Sequence, residues 1–213
     1  VTARSPAAGD TLESMSADGE LLERWRAGDQ AAGRDLFARY FDPLFRFFSN
    51  KCGEPDEMVQ ATFLALIKAR DQFQGRSSFR TYLFVIARNE LYRHLRTLKR
   101  ERTFDPELSS IADLATSAGG KLAKNEEHRR LCAALRTLSV DQQTLLELHY
   151  WEGLDADALA DVFGTINQNI RARLSRARAA LREALARLET APRPGVESDE
   201  GFDTWARQVS VAG

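Results

Sequence analysis

Cysteine and histidine are scarce in this chain, at two and three of 213 residues. Cys52 and Cys132 lie far apart, with no Cys-x-x-Cys spacing and no histidine pair nearby, which excludes a zinc finger or a disulfide-built scaffold. His94, His128 and His149 have no mutual spacing suited to a metal and read as surface or core residues. Long apolar runs are missing as well. The longest clear one, Leu83 to Ala87, falls far short of a bilayer span. The first residues show no charged-then-apolar leader, so a cytoplasmic location without membrane contact is expected. No phosphate-binding glycine loop, nucleophile with a base, or convergent acid–base pair is seen, so an enzyme is the least supported class and no catalytic residue, metal or cofactor is expected. The 43% hydrophobic content still suffices for compact cores, in one domain or two small ones.

The formal net charge of -1 would argue against nucleic acid if charge were spread evenly, and it is not. Between Ile86 and Phe104, six cations (Arg88, Arg93, Arg96, Lys99, Arg100, Arg102) face two anions (Glu90, Glu101), a local +4. From Gln168 to Glu189 six arginines face two glutamates, again +4. The stretch between, Thr103 to Glu127, is net -3. Two basic segments separated by an acidic one suggest two grips on DNA, as in promoter recognition, rather than the single grip of an operator-binding protein.

Periodicity is helical from Glu20 onward, and no strand signal competes. Residues 1–18 are rich in Ala, Ser, Gly and Asp without periodicity and read as a disordered N-terminal tail. Gly28-Asp29 and Gly53-Glu54-Pro55-Asp56 punctuate the next helices. A helix from Asp56 to Arg70 places Val59, Phe63, Leu66 and Ile67 on one stripe and leaves Asp56, Glu57, Gln60 and Lys68 outside. After the polar loop Gln72 to Ser78, Ser77 or Ser78 can cap a long helix, Phe79 to Arg102. On it Phe84, Ala87, Leu91, Leu95 and Leu98 share a core arc. The neighbouring arc carries Asn89, Tyr92, Arg93, Arg96, Lys99 and Arg100, a basic-aromatic surface suited to phosphates and unstacked bases.

Thr103 to about Lys124, with Pro106 and Gly119-Gly120, reads as a linker. Ser139-Val140-Asp141-Gln142 fits a capping box opening a helix to about Trp151. Asp155 can cap a short helix bearing Leu159, Val162 and Phe163, and Gly164 then turns the chain. Thr165-Ile166-Asn167-Gln168 offers another capping box for a final helix to Leu188. This pair reads as a helix-turn-helix whose second helix enters the major groove. Gln168, Asn169, Arg171, Ala172, Ser175 and Arg176 are the candidate base readers, and Arg178 and Arg182 the candidate phosphate contacts. The acidic tail after Glu189, with Asp199, Glu200, Asp203 and Trp205, is expected to be disordered, the alternatives being that it folds back on a basic surface or docks on a partner protein.

On Leu22-Glu23-Arg24 through Gly28-Asp29, Asp56-Glu57-Met58-Val59-Gln60 with Phe63-Leu64, Phe73-Gln74-Gly75 through Phe79, Ile86-Ala87-Arg88-Asn89, and Arg171 through Arg178, the chain resembles bacterial sigma factors of the extracytoplasmic-function type. The likeness covers roughly Leu21 to Leu188, and the order of five short stretches is what makes it specific. It implies an all-α fold of two small helical domains joined by a flexible linker: sigma domain 2 at 19–102, linker at 103–125, sigma domain 4 at 126–189 and a C-terminal extension at 190–213. It further implies an alternative sigma factor bound to RNA polymerase core, touching the clamp of the largest subunit and the flap of the second largest, and to promoter DNA, with an anti-sigma factor as an admissible partner. Asp56, Glu57, Gln60 and Leu64 would meet polymerase. Gln74, Gly75, Arg76, Ser77, Arg88, Asn89, Tyr92, Arg93, Arg96, Lys99 and Arg100 would melt and read the minus-ten element. The helix-turn-helix would read the minus-thirty-five element. Where the family usually has Gly-Thr, this chain has Gln168-Asn169, so an unusual upstream element is expected. The alternative function is a stand-alone helix-turn-helix regulator.

Overall fold

The computed structural model describes residues 8–98, 104–114, 125–188 and 199–211. The described residues form α-helices, with one short 3-10 turn and an isolated bridge between Ser110 and Ser139. Helices α1 (Ala8–Arg26), α2 (Gln30–Ser49), α3 (Pro55–Ala69) and α4 (Phe79–Leu98) make the first half. The second holds α5 (Glu126–Thr137), α6 (Val140–Tyr150), α7 (Ala156–Phe163), α8 (Asn167–Leu188) and α9 (Asp199–Val211).

In the first half Leu22, Trp25, Leu36, Phe47, Phe48, Val59, Leu66, Phe84 and Leu91 are buried together. Gly33 admits the Trp25 ring, because a Cβ there would lie 2.7 Å from the indole nitrogen. Asp29 caps α2 by accepting from the amides of Ala31 and Ala32. The N-terminal segment departs from the expected tail. Residues from Ala8 onward are helical, and Asp18 is buried, accepting from the Tyr40 hydroxyl and pairing with Arg39. A buried carboxylate held by two donors on α2 fixes the middle of α1 against that helix.

Helix α6 is the centre of the second half. Both its polar and apolar residues are buried, Gln143, Thr144 and Glu147 beside Leu145, Leu146 and Leu148, because α5, α7, α8 and α9 pack around it and Asn50 and Lys51, just after α2, meet Gln143 and Glu147. The Ser139–Gln142 capping box forms as expected. Asp155 caps α7, accepting from the amides of Asp157 and Ala158 at 3.1 and 2.8 Å. Gly164 closes α7 in the left-handed region at φ 63°, where glycine carries no Cβ penalty. The second expected capping box does not form: the Thr165 hydroxyl accepts from the Asn169 side chain at 3.1 Å instead of from the backbone.

Part of the connecting segment is held in place. Phe104 meets the Tyr92 ring edge-on, and Ile111 is fully buried. Backbone amides of Val140 and Asp141 donate to the carbonyls of Ser109 and Pro106 at 2.8 and 2.9 Å. Two otherwise unsatisfied amides at the N-terminus of α6 thus find acceptors in this segment.

Candidate nucleic-acid and polymerase interface

Ser78, one of the two capping candidates, starts α4 by accepting from the Thr81 amide at 3.0 Å. The loop before it is anchored at its base by Arg26, whose guanidinium donates to the carbonyls of Arg70 and, at 2.6 Å, Phe73. Gln74, Gly75 and Arg76 are left exposed beyond that anchor, Gly75 with a φ of 68°. Ser77 is half-buried. Along α4, Asn89, Arg93 and Arg96 are exposed, with Arg93 paired to Glu90 on its own helix.

Arg88 and Tyr92 are not on that open surface. Tyr92 is buried and its hydroxyl donates to Asp141 of α6 at 3.0 Å. Burial, and then the Asp141 charge, push the Tyr92 pKa up, so the phenol remains a donor. The Arg88 guanidinium lies 4.4 Å from the Tyr92 ring centre and 4.7 Å from that of Phe163 on α7. Asp141 also pairs with Arg173 of α8, so one carboxylate joins both basic helices.

Further contacts cross between the halves. Lys51 is fully buried, pairs with Glu147 and donates to the Phe47 carbonyl at 2.6 Å. Glu147 also accepts from Gln143 at 2.8 Å and from Asn50 at 3.3 Å. Buried Glu152 receives Arg46 at 2.9 Å and Arg80 at 2.7 Å. On α8 the reading end is open, with Gln168, Asn169, Arg171, Ala172, Ser175 and Arg176 exposed. A cleft of about 560 Å³ borders this end, lined by Asn169, Ala172, Arg173 and Arg176 on one side and Glu107, Ser139, Asp141 and Gln142 on the other. On α3, Asp56, Glu57 and Gln60 are exposed beside Leu64 at 52% exposure and Ile67 at 42%.

Two family models match this sequence. Sigma-70 region 2 matches residues 36–101, and sigma-70 region 4 matches residues 128–181, together more than half of the chain. The chain belongs to the sigma-70 family. Among curated relatives it is 29% identical over 182 residues to the ECF RNA polymerase sigma-E factor of Salmonella typhimurium, covering 80% of this chain and 95% of that protein. It is likewise 29% identical over 173 residues to RNA polymerase sigma factor CarQ of Myxococcus xanthus, covering 79% and 97%. A solved structure of CnrH in complex with the cytosolic domain of CnrY matches with a TM-score of 0.61 at 27% identity, covering 81% of this chain and 99% of that one. The sigma factor RpoE of Bartonella quintana, solved in complex with the anti-sigma factor NepR, shares the fold with a TM-score of 0.53 at 24% identity, covering 72% of this chain and 98% of that one. This sigma factor is of the extracytoplasmic-function type, an alternative sigma factor that binds RNA polymerase core and promoter DNA and directs initiation.

Several residues lie elsewhere in the structure than their spacing suggests. Tyr92 and Arg88 belong to the contact between halves, because Phe163 and Asp141 approach that side of α4. Leu98, expected in the core arc, is 49% exposed at the end of α4. Ile67 leaves the buried stripe of α3, where Met58 and Thr62 lie instead. Arg178 and Arg182, expected on phosphates, lie against α9: Arg178 pairs with Asp203 at 3.2 Å, and Arg182 lies 4.7 Å from the Phe202 ring centre. The tail expected to be disordered thus includes a docked helix. Lys99 and Arg100 lie outside the described residues. Sequence reasoning missed Lys51, Asp141, Glu147 and Glu152; the available signal was an α6 whose leucines define no single face. Among the described residues there is no group of His, Cys, Asp and Glu that could hold a metal, and no helix is long and apolar enough to cross a membrane.

Proposed function

We propose that this sigma factor divides its work among the assigned surfaces, as a domain 2 over 19–102 and a domain 4 over 126–189 joined by the 103–125 linker. The exposed α3 face, with Asp56, Glu57, Gln60 and Leu64, docks on the polymerase clamp, and domain 4 meets the flap. Gln74, Gly75, Arg76 and Ser77 with Asn89, Arg93 and Arg96 engage the minus-ten element, and Lys99 and Arg100 extend that basic track. Gln168, Asn169, Arg171, Ala172, Ser175 and Arg176 read the minus-thirty-five duplex. Catalysis belongs to the polymerase, and the site of action is the cytoplasm.

The observation that carries this reading is the exposure of the N-terminal half of α8 immediately after the Gly164 turn, with amides and guanidiniums facing solvent. In the compact form Arg88 and Tyr92 are engaged between the halves, so their use on the minus-ten strand requires the halves to part. Polymerase binding is the step that supplies that opening. The solved relative held by the cytosolic domain of another protein supports an anti-sigma partner for the compact form. Run-off transcription with core polymerase and genomic fragments tests the whole reading. Promoter-specific transcripts dependent on this chain are expected, and their absence from every fragment overturns it.

A further inference from the structure

Helix α9 sits in a groove formed by α5, α6 and α8. Phe202, Ala206 and Val209 make its buried stripe, at the spacing of one helical face. Leu131, Leu135, Leu146, Trp151 and Leu181 line the groove beneath. Polar contacts fix its edges. The Tyr150 hydroxyl donates to Asp203, and the Trp205 indole donates to Glu127 at 2.6 Å. Burial, and then the hydrogen bond to Asp203, push the Tyr150 pKa up, which keeps that donor in place.

The two arginines beside this helix are both engaged by it. The Asp203 carboxylate lies 3.2 Å from Arg178 Nε, and the Phe202 ring faces the Arg182 guanidinium at 4.7 Å. The carboxylate offers Arg178 the charged acceptor that a phosphate oxygen would, and the ring occupies Arg182 by cation–π attraction, so that neither guanidinium is open to a phosphate. We infer that α9 is a built-in competitor of the DNA backbone on domain 4, withholding Arg178 and Arg182 until it leaves. This rests on the reading of α8 as the minus-thirty-five helix and adds its regulation. The device suits a two-state element: α9 has 13 residues, and an isolated helix of that length is marginal in water, so undocking also unfolds it.

The test uses the free full chain and a duplex of arbitrary sequence, with affinity measured over a series of salt concentrations. Phe202→Ala removes the largest buried anchor of α9, and Asp203→Asn removes its charge while keeping its shape. Phe202→Ala is expected to tighten binding about tenfold at low salt and to steepen the slope of log K against log salt by nearly two, since each added phosphate contact contributes about 0.9. Asp203→Asn moves both in the same direction by less. It also keeps the test decisive if Phe202→Ala disturbs the α5–α8 core. Equal affinity and slope in wild type and both variants overturn the inference. So does a gain that survives Arg178→Gln and Arg182→Gln added to Phe202→Ala. Duplex binding by the free chain does not require transcription, so absent transcripts count against the sigma-factor assignments, while an absent gain with normal transcripts counts against α9 alone.

Discussion

Helices α4 and α8 both carry arginines along one side, yet α4 places Arg88 and Tyr92 against Phe163 and Asp141 of the other half, while α8 leaves Gln168, Asn169, Arg171 and Arg176 in solvent. The chemistry that binds a phosphate also binds a carboxylate and a ring, so similar cationic helices serve different ends according to what approaches them. On the proposed reading the upstream element is met by a surface already open in the compact form. The minus-ten element is met in part by residues that the compact form engages. On that reading promoter selection divides into a ready base-reading end of α8 and a conditional half, in which Arg88 and Tyr92 are engaged, while α9 governs only the flanking grip of Arg178 and Arg182.

The sharpest way to break that comparison is to remove the carboxylate under Lys51. Glu147→Ala leaves a buried ammonium without its partner, a loss of about 3–5 kcal/mol for such pairs. The chain relieves that charge by parting its halves, and small-angle X-ray scattering is expected to show a larger radius of gyration. Unchanged scattering, with a urea-unfolding loss below about 1 kcal/mol as for a solvent-exposed pair, overturns the buried contact and with it the conditional half.

A second measurement separates the helices at the level of DNA. Arg176→Ala is expected to weaken holoenzyme binding to the cognate promoter by about 1–3 kcal/mol and to relax preference within the upstream element. Its exposed position should leave folding stability within about 0.5 kcal/mol of wild type. Arg88→Ala should lower the unfolding midpoint as well as promoter binding, because that guanidinium has partners in the compact form. If both substitutions spare stability equally, α4 and α8 are equally open and the contrast fails.

A smaller effect concerns how α8 is presented. Asp155→Ala removes the cap that accepts from the amides of Asp157 and Ala158, costing about 1 kcal/mol. Thermal unfolding should report that loss, whereas Thr165→Ala should be nearly silent, since the Thr165 hydroxyl caps no backbone amide. A large loss in Thr165→Ala would mean that α8 relies on a cap of its own.

These cases show what was legible in the sequence. Ser139-Gln142, Asp155 and Gly164 were readable because a cap is a local bargain between neighbouring residues and orphan amides. The stripe Ile170, Leu174, Ala177, Leu181 was readable because helical spacing alone gathers it on one face. The partners of Arg88, Lys51 and Arg178 were not. Each pairs with a residue distant in sequence, and an arginine's spacing does not distinguish a phosphate from Asp141 or Asp203. The helical start of the chain was hidden for a related reason, since only Tyr40 and Arg39, folded back from α2, give Asp18 a reason to be buried.

The smallest effect compares the halves by proton uptake. His149 on α6 is half-buried with Nδ1 3.0 Å from the Leu154 carbonyl, and His94 on α4 is also half-buried. Burial is the leading cause that holds both pKa values below the ordinary 6.5. For His149 the Leu154 carbonyl and Asp203 oppose that shift while Arg178 and Arg207 add to it; for His94 only Glu57 opposes it. A folded pKa below the unfolded one means that the unfolded chain binds more protons, so stability rises with pH across that interval. The contribution is complete above about 6.5, the unfolded value, and is lost as pH falls through the folded values. Urea midpoints should therefore decline below that pH, and His149→Gln should flatten the part belonging to the second half. Because Asp203 and Arg178 are among the charges around His149, displacing α9 with Phe202→Ala should alter this slope and leave the His94 contribution as it was. A slope unchanged by both substitutions would show that His149 is solvated, and that α9 does not lie over this end of α6.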